Sequence, residues 1–191
     1  MIVFLREVLL RWLILFLRNL FYFREGVIME RVKIIETNLQ FKDLMQRSCT
    51  EKIVIHHTGN PEDDNLSAAE IHQSHLNQGW TGIGYHFVVR KDGSIERGRP
   101  LECIGSHTYG YNQCSIGIHV CGNFEIAEPT QEQLNVLPML IADLCDTYGL
   151  IAGKDIVLGH RDLMATACPG ENLYKKLQDI RGNAEWHRLC K

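Results

Sequence analysis

From residue 52 onward the apolar positions switch between a period of two and a period near 3.6, as expected for strands alternating with helices. Residues 52–56 (KIVIH) are short, apolar and β-branched and predict a buried strand that runs into the turn Thr58-Gly59-Asn60-Pro61. Ser67-Ala68-Ala69-Glu70 is a capping-box pattern opening a helix that Gly79 ends. Residues 85–90 (YHFVVR) predict a strand, Lys91-Asp92-Gly93-Ser94 a hairpin turn, and residues 95–98 its partner strand. Residues 115–121 (SIGIHVC) predict a central strand ended by Gly122 and Asn123. After Pro129, Thr130 to Gln133 is a second capping start. Leu134, Leu137, Ile141, Leu144 and Tyr148 then keep helical spacing up to a C-capping Gly149. Residues 156–159 predict a short strand delivering His160, and a last helix is expected over about 171–180, while residues 182–191 carry no clear signal. The expected fold is α/β, a mixed central β-sheet flanked by helices, with one domain over residues 45–182 and a tail over 183–191.

Residues 1–28 stand apart as an apolar and basic extension. Residues 1–24 are rich in Leu, Ile and Phe, but Arg6, Glu7, Arg11 and Arg18 interrupt them. A spanning helix wants roughly 20 mostly apolar residues without mid-membrane charges, and a cleavage site of small residues is missing. Three readings fit: an interfacial anchor, an imperfect export signal, or translated sequence upstream of a start at Met29. Membrane contact is expected only through this stretch.

Of the 191 residues, 45% are hydrophobic and 23% charged, ordinary for a globular chain able to bury a core. A net charge of -3 gives no electrostatic case for a nucleic-acid partner. The seven cysteines are odd in number, scattered, and without a C-x-x-C pair. Most of them read as small buried thiols made in a reducing compartment, and the set not as a disulfide framework or a zinc ribbon.

Candidate chemistry begins with a metal. A catalytic zinc site needs three protein ligands and one open position. His56 and His160 each end a predicted strand, and Cys168 follows His160 by a short loop closed by Pro169. Two strand ends and one loop can converge on an ion, although a single strand-end histidine is more often a hydrogen-bonded structural residue.

The runs IVIHHT, GWTGIGYHFVVRKDGSIERGRP, GSHTYGYNQCSIGIHVCGNF and GHRDLMATACPG occur in that order between residues 52 and 180. Together they resemble the type 2 N-acetylmuramoyl-L-alanine amidases, the family of phage amidase lysozymes and peptidoglycan recognition proteins. The resemblance implies a hydrolase that cuts the lactyl amide between N-acetylmuramic acid and L-alanine of peptidoglycan, by attack of water activated by one Zn²⁺ ion. It implies His56, His160 and Cys168 as metal ligands and Tyr85 as a catalytic tyrosine. Thr166 falls where phage members carry a catalytic lysine, so an oxyanion-directed hydroxyl replaces that role. His107, Tyr111 and Asn112 match a substrate-lining loop, with Trp80 and Arg99 as weaker candidates for the same groove. His57 is expected to face away from the site. His119 occupies a strand position that is acidic in some recycling amidases, and a core, supporting or catalytic role is open for it.

Two other functions are carried alongside: a non-catalytic peptidoglycan-binding module, and an amidase acting on soluble muropeptides in wall recycling. The filled ligand set argues against the first and His119 against the second. The expected setting is bacterial or phage-encoded. The chain is cytoplasmic until release, or held at the envelope if residues 1–28 act as an anchor. Oligomeric state is unreadable from the sequence.

Overall fold

In the computed structural model, which describes residues 32–190, the KIVIHH run forms an interior strand of a six-stranded sheet. The strands are β1 (Ile34–Ile35), β2 (Lys52–His57), β3 (Phe87–Val89), β4 (Ile95–Arg97), β5 (Ser115–Val120) and β6 (Val157–Gly159). Their spatial order is β1-β4-β3-β5-β2-β6. Among the pairings of the described strands only the β3–β4 hairpin is antiparallel, because the Asp92-Gly93 turn connects its strands directly, with Gly93 at φ 82°.

The helices are α1 (Ala68–Asn77), α2 (Gln131–Tyr148), α3 (Glu171–Tyr174) and α4 (Leu177–Leu189). Both expected capping boxes are present: Ser67 with Glu70 starts α1 and Thr130 with Gln133 starts α2. Gly149 caps α2 in the left-handed region. Helix formation at the C-terminus goes further than the expected end near residue 180. It breaks at Lys175 and Lys176, resumes, and runs to Leu189, burying Leu177, Ile180 and Ala184.

Period-two alternation divides the sheet between two layers. Ile53, Ile55, Ile116, Ile118, Val120, Phe87 and Val89 point to one face, where Leu137, Ile141 and Leu144 of α2 and Leu177 and Ile180 of α4 cover them. The other face carries a smaller cluster of Val88, Ile83 and Cys121 under Ala68 and Ile71 of α1. On that side His56 and His119, both buried, sit opposite one another in the β2–β5 register.

Residues 36–51 form a strap along the sheet edge. The Thr37 hydroxyl donates to the Arg97 carbonyl at 2.7 Å, the Ile104 amide donates to the Met45 carbonyl at 2.8 Å, and the Glu51 amide donates to the Cys114 carbonyl at 2.8 Å. The strap ends in a disulfide between Cys49 and Cys114. This corrects the reading of these two residues as reduced thiols. They meet because the strap brings Cys49 beside the residue that precedes β5, a proximity invisible in their separation of 65 residues. Cys103, Cys121 and Cys145 are buried free thiols, as expected, and Cys190 is free and exposed. The three readings of residues 1–28 lie outside the described residues. Among the described residues no helix is long and apolar enough to cross a membrane.

Candidate functional site

β2 and β6 are parallel neighbours, with Ile55 opposite Gly159, so their C-terminal ends set His56 and His160 side by side, ring centroids 4.5 Å apart. From His160 the chain makes a short 3₁₀ turn (His160–Asp162) and loops back. Cys168 returns with its Sγ 3.7 Å from His56 Nδ1, accepting a hydrogen bond from the His57 amide at 3.3 Å. One donor atom from each of His56, His160 and Cys168 lies within 4.8 Å of the other two. Zinc–nitrogen and zinc–sulfur bond lengths in a tetrahedral site imply ligand separations of roughly 3.5 Å. The His56–Cys168 pair is therefore at coordination spacing, and the donor set fits zinc. A second group, Cys49, Glu51 and Cys114, is also close-knit, but its two sulfurs are bonded to each other.

Protonation follows from burial. Desolvation, and then the imidazoles of His107 and His160, hold His56 well below the ordinary imidazole range. Burial lowers His160 in the same direction. Both are neutral imidazoles at neutral pH, the form that binds metal. Burial pushes the Cys168 thiol up to about 12, against the opposing pull of the His57 amide and Arg161. A thiolate there requires a nearby cation, which is what a metal ion provides.

His56 is held from behind. Its Nε2 lies 3.0 Å from His107 Nδ1 and 3.4 Å from the Thr108 hydroxyl. The His107 ring fits here because Gly117 and Gly105 leave room: a Cβ on either would come within 2.5 Å of that ring. Asn112 turns inward, its Oδ1 accepting from the amides of His107 at 2.9 Å and Thr108 at 2.8 Å. Of the three residues matched to the substrate loop, His107 and Asn112 thus build the support of His56. Tyr111 stays 38% exposed.

Tyr85 flanks the cluster, its ring 5.1 Å from that of His56 and 5.0 Å from that of His119. Burial raises its phenol above the ordinary range, so it remains a proton donor. Thr166 lies exposed on the return loop, its hydroxyl accepting from the Cys168 amide at 3.2 Å. His119 is buried. Its Nε2 is 2.9 Å from the Thr58 hydroxyl, which in turn donates to Asp64 at 3.1 Å. His57 points to the opposite face as expected, accepting from the Phe124 amide at 3.2 Å.

A run of ring contacts leads away from the cluster: Tyr85 to His75 at 5.8 Å and His75 to Trp80 at 4.5 Å. Trp80 is 42% exposed and lines a cavity of about 340 Å³ together with Asp43, Met45, Thr81, Ile104 and Ser106. Arg99 also borders it, but its guanidinium is spent on the Ile83 and Ile104 carbonyls at 2.9 and 2.8 Å.

Sequence reasoning did not identify the His107–His56 support, the Thr58–Asp64 pair behind His119, or the contacts of Arg161. For His107 a signal was present: small residues at Gly105 and Gly117 beside a histidine indicate a ring packed closely against backbone.

The family model described as N-acetylmuramoyl-L-alanine amidase matches residues 46–171. The endolysin of Enterobacteria phage K11 is 32% identical over 135 residues, 68% of this chain and 87% of that protein. Among solved structures, N-acetylmuramoyl-L-alanine amidase LysC from Clostridium intestinale superposes with a TM-score of 0.70 at 36% identity, covering 77% of this chain and 95% of that one. A Drosophila PGRP-LB mutant in complex with tracheal cytotoxin superposes with a TM-score of 0.68 at 26% identity, covering 76% and 92%.

Proposed function

The chain belongs to the N-acetylmuramoyl-L-alanine amidase family, and from that premise we propose a zinc-dependent peptidoglycan amidase in which His56, His160 and Cys168 hold the ion. The observation carrying this reading is the convergence of those three donor atoms within 4.8 Å from three separate parts of the chain. A bound zinc ion supplies an electrophile for the amide carbonyl and a lowered pKa for the attacking water. His107 and Thr108 fix the orientation of His56 through its second ring nitrogen, as supporting partners of metal ligands commonly do. Tyr85, kept protonated by burial, donates a hydrogen bond to the oxygen that gains charge as the carbonyl is attacked. Thr166 stands on the same return loop, and its hydroxyl, which accepts from the Cys168 amide, still has its own proton to donate in that role. The peptide stem enters along the Tyr85–His75–Trp80 side and ends in the 340 Å³ cavity, while Tyr111 borders the groove from the 107–112 loop.

The endolysin relatives, matched over most of their length, favour a lytic role on intact wall, reached from the cytoplasm on release, over turnover of soluble fragments. The complex of the PGRP-LB mutant with tracheal cytotoxin supports a muropeptide as the ligand of this groove. The domain of action is proposed as residues 45–182. Mass spectrometry of digested, purified peptidoglycan tests the reading, together with metal analysis of the same protein sample. New L-alanine amino termini and intact N-acetylmuramic acid are expected, with one zinc per chain. Cleavage between sugars, or full turnover after exhaustive chelation, would refute it.

A further inference from the structure

Cys168 reaches the cluster on the irregular segment that follows the His160–Asp162 turn, and one side chain braces that loop. We propose that Arg161 is a positioning residue for the sulfur donor, a fork that holds the 160–168 return loop at the spacing the metal needs. The inference rests on the zinc reading above. The Arg161 amide donates to the Cys168 carbonyl at 2.8 Å, closing the loop at its neck. Its guanidinium spans the loop from the side: Nη2 donates to the Ala167 carbonyl at 2.6 Å, and Nη1 donates to Glu171 Oε2 at 2.7 Å. Glu125 Oε1 lies 3.4 Å from Nη2 and also accepts the Glu171 amide at 2.8 Å. The ring of Tyr174 lies 4.8 Å from the guanidinium carbon, and its hydroxyl donates to Asp162, which takes the Gly159 amide at 2.9 Å.

The arrangement ties α3, the end of β6 and the carbonyl just before the cysteine into one unit. A planar group with donors on two sides is required, since one side meets a carbonyl and the other a carboxylate. Lysine keeps the charge but replaces the fork with a single nitrogen, where two separate guanidinium nitrogens meet the carbonyl and the carboxylate here. Arg161 does not touch the place of the reacting atoms, so its effect is on the ligand and not on the chemistry.

The test is zinc affinity, measured by competition with a chromophoric chelator, beside thermal unfolding of the metal-free proteins. Arg161→Met and Arg161→Lys are both expected to weaken zinc by about 10- to 100-fold, the usual effect of losing a partner behind a ligand, with the metal-free unfolding midpoint little changed. Wild-type affinity in Arg161→Lys would show that charge alone suffices and would overturn the proposal, as would wild-type affinity in Arg161→Met. Should Arg161→Met fail to fold, Glu171→Ala frees the guanidinium from the exposed side of the loop and is expected to weaken zinc severalfold; no change would again overturn it. A wild-type protein with no affinity above that of Cys168→Ser would instead remove the zinc reading itself.

Discussion

A buried imidazole and a half-buried thiol at 3.7 Å are an uncomfortable pair without a metal: neither ionises readily, and the sulfur is a weak hydrogen-bond acceptor. This makes Cys168 the most sensitive residue of the site. Cys168→Ser is expected to lose stoichiometric zinc and to lower wall-lytic activity at least 100-fold; equal zinc content in the variant, by metal analysis, would exclude the sulfur as a ligand. Tyr85→Phe removes one hydrogen-bond donor and nothing else, so kcat should fall on the order of 100-fold with zinc affinity intact; an unchanged kcat would take the phenol out of the chemistry. His107 separates two roles. A groove residue would raise KM when replaced, whereas the 3.0 Å contact with His56 Nε2 makes zinc the affected quantity. His107→Phe should weaken zinc by about 10- to 100-fold, measured by chelator competition, and a change confined to KM would contradict this.

At the level of elements, the helices and the paired strands were legible because their signals are local. Ser67 with Glu70 and Thr130 with Gln133 name their own caps, and Gly149 names its helix end. What remained hidden depends on contact between distant segments. β1 is two residues long and exists because β4 offers it an edge and the Arg97 carbonyl anchors Thr37; Ile34-Ile35 alone has no period to read. α4 extends past residue 180 because Ala184 finds a buried place against the core, which Gly182 and the charged residues around it mask in the sequence. The Cys49–Cys114 pairing has the same origin. It joins the strap that walls the 340 Å³ cavity to the turn carrying Tyr111 and Asn112. Closing a 65-residue loop restricts the unfolded chain by up to about 4 kcal/mol. Urea unfolding with and without a thiol reductant should show a lower midpoint on reduction, reproduced by Cys49→Ser without reductant. Coincident midpoints would mean that the backbone bonds of the strap hold it unaided.

Over the whole molecule, the candidate site residues could be named one by one, but the density of neutral histidine around them could not, since it arises only when β2, β3, β5 and the 107–112 loop share one layer. His56, His86, His107 and His119 are all lowered, chiefly by burial, with His86 and His119 at about 3. Unfolded, each protonates near 6.5. Between those values the unfolded chain binds more protons than the folded one, so stability rises with pH across that window and is lost as pH falls below about 6.5. Each fully buried histidine adds a slope approaching about 1.4 kcal/mol per pH unit. The opposite limit comes from thiols: burial pushes Cys121 up to about 12 and Cys145 to about 11. Above pH 9 the unfolded chain therefore loses its protons first, and stability falls again as pH rises. The metal-free protein should be most stable between about pH 6.5 and 9. Its urea midpoint should drop steeply from pH 6.5 to 5, and the drop should be shallower in His119→Gln, which removes one of the titrating rings. A midpoint that is level or rising on acidification would mean that these histidines take up protons in the folded state as readily as in the unfolded one, and that the layer holding them is open to water.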